Sequence, residues 1–226
     1  MTIASIASRI ESIRQQLPES VRLIAVTKQV SAEAVRQAYN AGVRDFGESR
    51  IQEAAEKQSQ LQDLPDINWH LIGHLQANKV AKALEQFQWI HSLDSLKLAQ
   101  RLSRLAGEMS CSPQVCLQVK ILPDPDKYGW SIPELFADLR ELDECQHIKI
   151  QGLMTIPPLG LDESQILEFF NSTRELADNI KQQNLQHIQM QELSMGMSGD
   201  YHLAIQAGAT MIRLGQTLFG SRSLTK

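Results

Sequence analysis

The chain has 226 residues, 42% of them hydrophobic and 21% charged, with a formal net charge of −4. That length suits one compact domain over residues 1–226, and the mild acidity excludes a general electrostatic footprint for nucleic acid. Three scattered cysteines (Cys111, Cys116, Cys145) give neither a disulfide framework nor a CxxC zinc spacing, so reduced thiols are expected. The opening MTIASIASRIESIR carries an early acid and no continuous apolar core, unlike a secretory signal. No apolar run nears the ~18 residues of a membrane span, and the expected location is cytoplasmic.

In chain order, Ile3, Ile6, Ile10 and Ile13 mark a helical stripe over residues 3–17, ahead of the main fold. Leu23 to Val26 then read as a strand buried on both faces, over 22–27, ending in Thr27 and Lys28. A helix from Ser31 to Gly42, a strand over 43–47 and a polar helix over 49–61 follow. The strand 69–73 leads to a helix capped by Asn78 and reaching Phe87. The strand 89–93 leads to a helix capped by Asp94 or Ser95, with the stripe Leu98, Leu102, Leu105 and Met109. After the strand 115–121, Pro123, Pro125 and Gly129 break the chain, and Ser131-Ile-Pro-Glu134 is a capping box with proline in the first turn. A strand over 148–155 and a long helix from Asp162 precede a short strand over 191–194, a helix over 198–208 and a strand over 210–214.

Eight strands alternating with helices imply a parallel sheet, and eight units close naturally into a (β/α)8 TIM barrel, here with an extra N-terminal helix. An open doubly wound sheet is the competing architecture, but no GxGxxG follows the first strand. In a barrel, chemistry sits where strands end. That ring holds Lys28, Glu48, His74, His91, Asp94, Lys127, Thr155, Ser194 and Arg213.

Two loops stand out. Leu193-Ser-Met-Gly-Met-Ser-Gly199 and Arg213-Leu-Gly-Gln-Thr-Leu-Phe-Gly220 lie where barrels commonly build a phosphate site from free backbone N–H groups and a short helix end. The same glycines also suit tight turns. Lys28 is open to two readings: a snorkelling surface lysine, or an amine held for a carbonyl. An amine facing an anion cradle suits pyridoxal 5′-phosphate, with Arg213 able only to donate to the pyridine nitrogen. His70 reads as a packing histidine, Lys127 as a solvated loop residue, and Ser198 as an N-cap or a ligand. No histidine or carboxylate spacing suggests a metal.

The ordered segments Ala25-Val-Thr-Lys28, Phe46-Gly-Glu-Ser49 with Gln52-Glu53, Trp69 to Gln76 with Asn78-Lys79, Gly152-Leu-Met-Thr155, Leu193 to Ser198, and Arg213-Leu-Gly215 with Phe219-Gly220 resemble the pyridoxal phosphate homeostasis protein family. The resemblance implies a barrel like the N-terminal domain of alanine racemase, with the cofactor bound as an imine on Lys28. It also implies Arg213 facing the pyridine nitrogen, and Ser194 with the backbone at Gly215 and Gln216 around the phosphate. Gln216 stands where a threonine is common in the family, which leaves the backbone contact but not a side-chain one. The loop 122–129 departs from the family pattern apart from its Lys-x-Gly, and no role is carried onto it.

Racemisation needs an acid/base group on each face of the substrate α-carbon. Alanine racemases, similar in part, draw the second from a tyrosine of an added β-domain in a partner subunit. Here Tyr39, Tyr128 and Tyr201 offer no evident stand-in. The resemblance therefore implies a non-enzymatic regulator that holds pyridoxal phosphate and exchanges it with apo-enzymes, with catalytic residues unassigned, while the extra N-terminal helix and the missing β-domain point to a monomer. A low-activity amino-acid racemase is the alternative.

Overall fold

In this computed structural model, residues 5–220 are described. Helix α1 (Ile6–Gln16) is capped by Ser5, whose hydroxyl accepts from the Ser8 N–H, and buries Ile10 and Ile13. Ile3 lies outside the described residues. Then come β1 (Arg22–Val26), α2 (Ala32–Asn40), β2 (Asp45–Glu48), α3 (Ile51–Gln60), β3 (Asn68–Leu71), α4 (Val80–Gln86), β4 (Trp89–Leu93), α5 (Leu96–Glu108) and β5 (Gln114–Lys120). The second half is β6 (Trp130–Ser131), α6 (Ile132–Asp143), β7 (Lys149–Met154), α7 (Glu163–Lys181), β8 (Ile188–Ser194), α8 (Tyr201–Gln206), β9 (Met211–Leu214) and α9 (Gln216–Phe219).

Strands β1 to β5 pair in sequence, β5 pairs with β7, β7 with β8, β8 with β9, and β9 with β1, all parallel. The ring closes, so the expected (β/α)8 barrel with an extra N-terminal helix is what the chain forms. The unexpected β6 pairs only along the edge of β5. Gly152 fixes one seam: a Cβ there would lie 1.7 Å from the Glu192 carbonyl oxygen, so only glycine lets β7 and β8 approach this closely.

Strand alternation separates two layers. Outward residues such as Phe46, Leu71, Ile90, Leu117 and Leu153 join the helix stripes in the main core. The inward residues Ile24, Trp89, Cys116, Met154 and Met211 form a small separate cluster. The rest of the interior is polar, with His70, His91, Ser194 and Arg213 all buried. Barrel interiors are ordinarily filled by branched apolar side chains.

Four local expectations are corrected. Asn78 caps nothing; it lies inside a 3-10 turn, Ala77–Lys79, that leads into α4. The helix expected over 198–208 is only α8, and Ser198 is not its N-cap; its hydroxyl accepts from the Thr217 N–H at 3.4 Å. The strand expected over 191–194 begins at Ile188, because Ile188 and Met190 are buried in the main core and alternate with exposed glutamines. Met109, expected in the α5 stripe, is the exposed C-cap residue.

Candidate functional site

The β1 side of the barrel mouth is built around Thr27. Arg22, Ile24 and Val26 take alternate positions on β1, and Lys28 continues that alternation past the strand end, where it is half-buried. The chain then turns: Val30 N–H donates to the Thr27 carbonyl at 2.9 Å, and Gln29 adopts φ 60°. Glu53 holds that left-handed residue by accepting its N–H. The Thr27 hydroxyl donates to Glu48 Oε1 at 2.6 Å. Lys57 Nζ donates to the Thr27 carbonyl at 2.5 Å, to Glu48 Oε1 at 2.6 Å and to Glu53 Oε1 at 2.8 Å.

Burial lifts the Glu48 carboxyl above the usual range, with Lys57 and Thr27 pulling the other way. Burial also pushes Glu53 upward, but the hydrogen bonds from Lys57 and the Gln29 N–H together hold it below the usual range. Glu48 Oε2 is buried without a hydrogen-bond partner among the described residues.

The neighbouring strand, β9, carries the second cluster, built around Arg213. Its Nη1 donates to the Ser194 carbonyl at 2.6 Å and to Ser194 Oγ at 2.8 Å, and its Nη2 to the Thr155 carbonyl at 3.0 Å. Burial pushes this guanidinium down to about 10, while the charges of Asp200 and Cys116 act in the opposite sense. No carboxylate among the described residues pairs with it. Gly215 and Gln216 follow directly and open α9, whose first-turn N–H groups have no intrahelical acceptor. A Cβ on Gly215 would meet only ordinary contacts, 3.4 Å from the Val26 carbonyl oxygen. These contacts do not require glycine there.

Ser194 also begins a buried chain. Its Oγ lies 2.8 Å from His91 Nδ1, His91 Nε2 lies 2.9 Å from His70 Nδ1, and His70 Nε2 lies 3.0 Å from Asp45 Oδ1. Trp89 stacks on the His70 ring at 5.7 Å. Burial depresses both imidazoles, His91 further because His70 and Arg213 add positive charge beside it.

The sequence therefore brings Ser194 and Arg213 into contact, and sets Lys28, Gly215 and Gln216 at the same strand ends through the pairing of β1 with β9. It does not gather everything in the expected ring. His74 bonds Asp94 Oδ2 at 2.9 Å and stacks on Tyr128 at 3.7 Å, away from the histidine chain. Lys127 pairs with Asp124. Among the described residues no group of histidine, cysteine and carboxylate side chains is set to hold a metal. Reasoning from sequence missed Lys57, and it missed that His70 and His91 meet. The available signal was parity: His70 and His91 both take inward positions on neighbouring strands.

The family described as "Alanine racemase, N-terminal domain" matches residues 1–223. A pyridoxal phosphate homeostasis protein of Synechocystis sp. is 52% identical over 206 residues, 91% of this chain and 94% of that one. The chain belongs to the pyridoxal phosphate homeostasis protein family.

A second pyridoxal phosphate homeostasis protein, from Pseudomonas aeruginosa, is 41% identical over 223 residues, 97% of this chain and 94% of the relative. The structure of PipY from Synechococcus elongatus with PLP bound superposes with a TM-score of 0.92 at 52% identity, covering 96% of this chain and 100% of PipY. Alanine racemase of Clostridium difficile shares the fold alone, at 14% identity and a TM-score of 0.80, over 98% of this chain and 58% of the racemase. No helix among the described residues is long and apolar enough to cross a membrane.

Proposed function

We propose that this protein binds pyridoxal 5′-phosphate through Lys28 and serves as a carrier in pyridoxal phosphate homeostasis. The observation that carries the reading is the buried Ser194–Arg213 pair, a cation without a carboxylate, beside the end of the strand that leads to Lys28. The donor set fits the group. Arg213 can only donate, which suits an unprotonated pyridine nitrogen. The Ser194 hydroxyl, expected at the phosphate, is taken up by Arg213 and His91, so the N–H groups of Gly215 and Gln216 with the Ser198 hydroxyl beside them suit phosphate oxygens. The 52% identity to PipY, solved with PLP bound, supports the same cofactor here.

Lys28 supplies the amine. With the cofactor bound, its amine would hold the aldehyde carbon as an imine with loss of water, an attachment that would be reversible by hydrolysis or by exchange with another amine. Reversibility is what a carrier supplying apo-enzymes needs. A donor-only partner at the pyridine nitrogen leaves the ring a weak electron sink, which favours holding the cofactor over racemising an amino acid. The tyrosines do not supply a second acid/base: the Tyr39 hydroxyl bonds Asp66, the Tyr201 hydroxyl bonds Gln16, and Tyr128 stacks on His74 at the rim.

The test is chemical. Reduction of the yellow holo-protein with borohydride should fix the cofactor on the peptide containing Lys28, and Lys28→Ala should lose both colour and label. A label retained in that variant, or found on another lysine, defeats the assignment.

A further inference from the structure

Arg213 is held by acceptors of two kinds. Two are backbone carbonyls, those of Ser194 and Thr155. The pairing of β7 with β8 fixes both, and the Thr155 N–H itself donates to the Ser194 carbonyl at 3.2 Å. The third is the Ser194 hydroxyl, which rotates and can donate as well as accept. A hydroxyl that turned its own proton toward the guanidinium would lose the bond. Keeping Arg213 fixed therefore requires an acceptor that draws the Ser194 proton away.

The buried histidines supply that acceptor, and counting donors gives the direction of every link. Burial keeps both rings neutral, and Asp45 is the carboxylate at the far end. One arrangement then satisfies the whole chain. His70 Nε2–H donates to Asp45 Oδ1 at 3.0 Å, His91 Nε2–H donates to His70 Nδ1 at 2.9 Å, and the Ser194 hydroxyl donates to His91 Nδ1 at 2.8 Å. Lone pairs of the Ser194 oxygen are left for Arg213 Nη1. The reverse polarity would set a bare His70 Nε2 against the Asp45 carboxylate, two acceptors in contact. A charged His91 would place a second cation on the oxygen that already serves Arg213.

The bonds to Ser194 and Thr155 use three of the five guanidinium N–H groups, leaving one on Nε and one on Nη2. Resting on the proposed placement of Arg213 at the pyridine nitrogen, we infer that His91 and His70 are positioning residues for this arginine. Anchored by Asp45, they make Ser194 an obligate acceptor, which holds the guanidinium still while its remaining N–H groups serve the ring nitrogen. Burial makes the chain rigid: Ser194, His91 and His70 are fully buried, and Trp89 stacks on His70. Asp45, with its side chain 18% exposed, is the link of the four that meets solvent.

The test compares pyridoxal phosphate with its 1-deaza analogue, in which a C–H replaces the ring nitrogen while the aldehyde and the phosphate remain. Both Kd values are read by absorbance on the intact chain at one pH. His91→Phe removes the acceptor for the Ser194 proton without adding a charge. It should weaken the cofactor about tenfold and the analogue less than about twofold, since only the cofactor has a nitrogen for Arg213 to reach. A purely structural role would weaken both alike. Arg213→Met should show the same selectivity, at least as strongly.

Equal weakening of the two ligands in Arg213→Met overturns the ring-nitrogen placement, and the inference with it. Selective weakening in Arg213→Met, combined with equal effects on both ligands in His91→Phe, overturns the positioning role alone. Should His91→Phe not fold, ring ¹⁵N shifts of the wild-type protein decide: both histidines should be neutral Nε2–H tautomers. A His91 protonated on Nδ1 overturns the inference.

Discussion

Two buried polar clusters lie beside neighbouring strands, one at the end of β1 and one on β9, and they are built on opposite principles. Around Thr27, the cation Lys57 is matched by two carboxylates, Glu48 and Glu53, and every contact faces the protein's own backbone or side chains. Around Ser194, the cation Arg213 is matched only by a hydroxyl and two carbonyls, and the one mobile proton, that of Ser194, leads into a histidine chain. A neutralised cluster fixes a strand end, whereas an uncompensated buried cation is a standing invitation to an electron-rich ligand. The difference assigns the first cluster to holding the Lys28 turn and the second to receiving the cofactor.

The strongest way to break this comparison is to remove both cations. Lys57→Met strands the buried Glu48 and the part-buried Glu53 without a counter-charge and should cost about 3–5 kcal/mol in urea unfolding. Arg213→Met removes a charge that burial disfavours and leaves two carbonyls and a hydroxyl short of a donor, a loss of about 1–3 kcal/mol. Its effect on cofactor retention under dialysis should be severe. Equal stability losses in the two variants would erase the distinction.

Acid separates the clusters as well. The folded state holds His70 and His91 below their unfolded values, so it binds fewer protons than the unfolded chain. Their contribution is present above about pH 6.5 and is lost as pH falls toward the folded values, at up to about 1.4 kcal/mol per pH unit for each histidine. On the other side, Glu48 is raised and Glu53 lowered. The Glu48 contribution is present below its unfolded value and lost as pH rises above it, whereas the Glu53 contribution is present above its unfolded value and lost as pH falls below it, so the two act in different pH windows. Urea midpoints between pH 7.5 and 5.5 should therefore fall, and the slope should halve in His91→Asn.

The smallest effect on stability is expected at Gly215. Gly215→Ala meets ordinary contacts, so the fold should change by no more than about 0.5 kcal/mol. Cofactor binding should nevertheless weaken, measured as the Kd of pyridoxal phosphate by absorbance. A large stability loss with unaltered binding would mean that the glycine serves the backbone.

Much of this was legible in the chain. The apolar run Leu23–Val26, the capping box at Ser131 and the stripe of α7 are local signals, and each element formed where its residues dictate. The same locality explains the errors. Asn78 has a capping side chain, but tertiary context set a 3-10 turn around it. The sequence at 188–191 alternates apolar and polar, yet its glutamines disguise a strand. Lys28, Ser194, Arg213, Gly215 and Gln216 were placed at strand ends because barrel topology places them. For the histidine chain the sequence offered only parity, the inward positions of His70 and His91 on neighbouring strands, because these two are 21 residues apart and Ser194 is another 103 further on. Contacts of that kind depend on register across strands, and no local pattern reports it.

Helix α1 stands outside the repeating βα pattern, yet Arg9 reaches the other end of the chain and donates to the Leu218 carbonyl in α9 at 3.1 Å. The start of the polypeptide thus braces the short helix that follows Arg213. For anyone building fusions on this scaffold, a tag that pulls α1 away would break the Arg9 contact with α9.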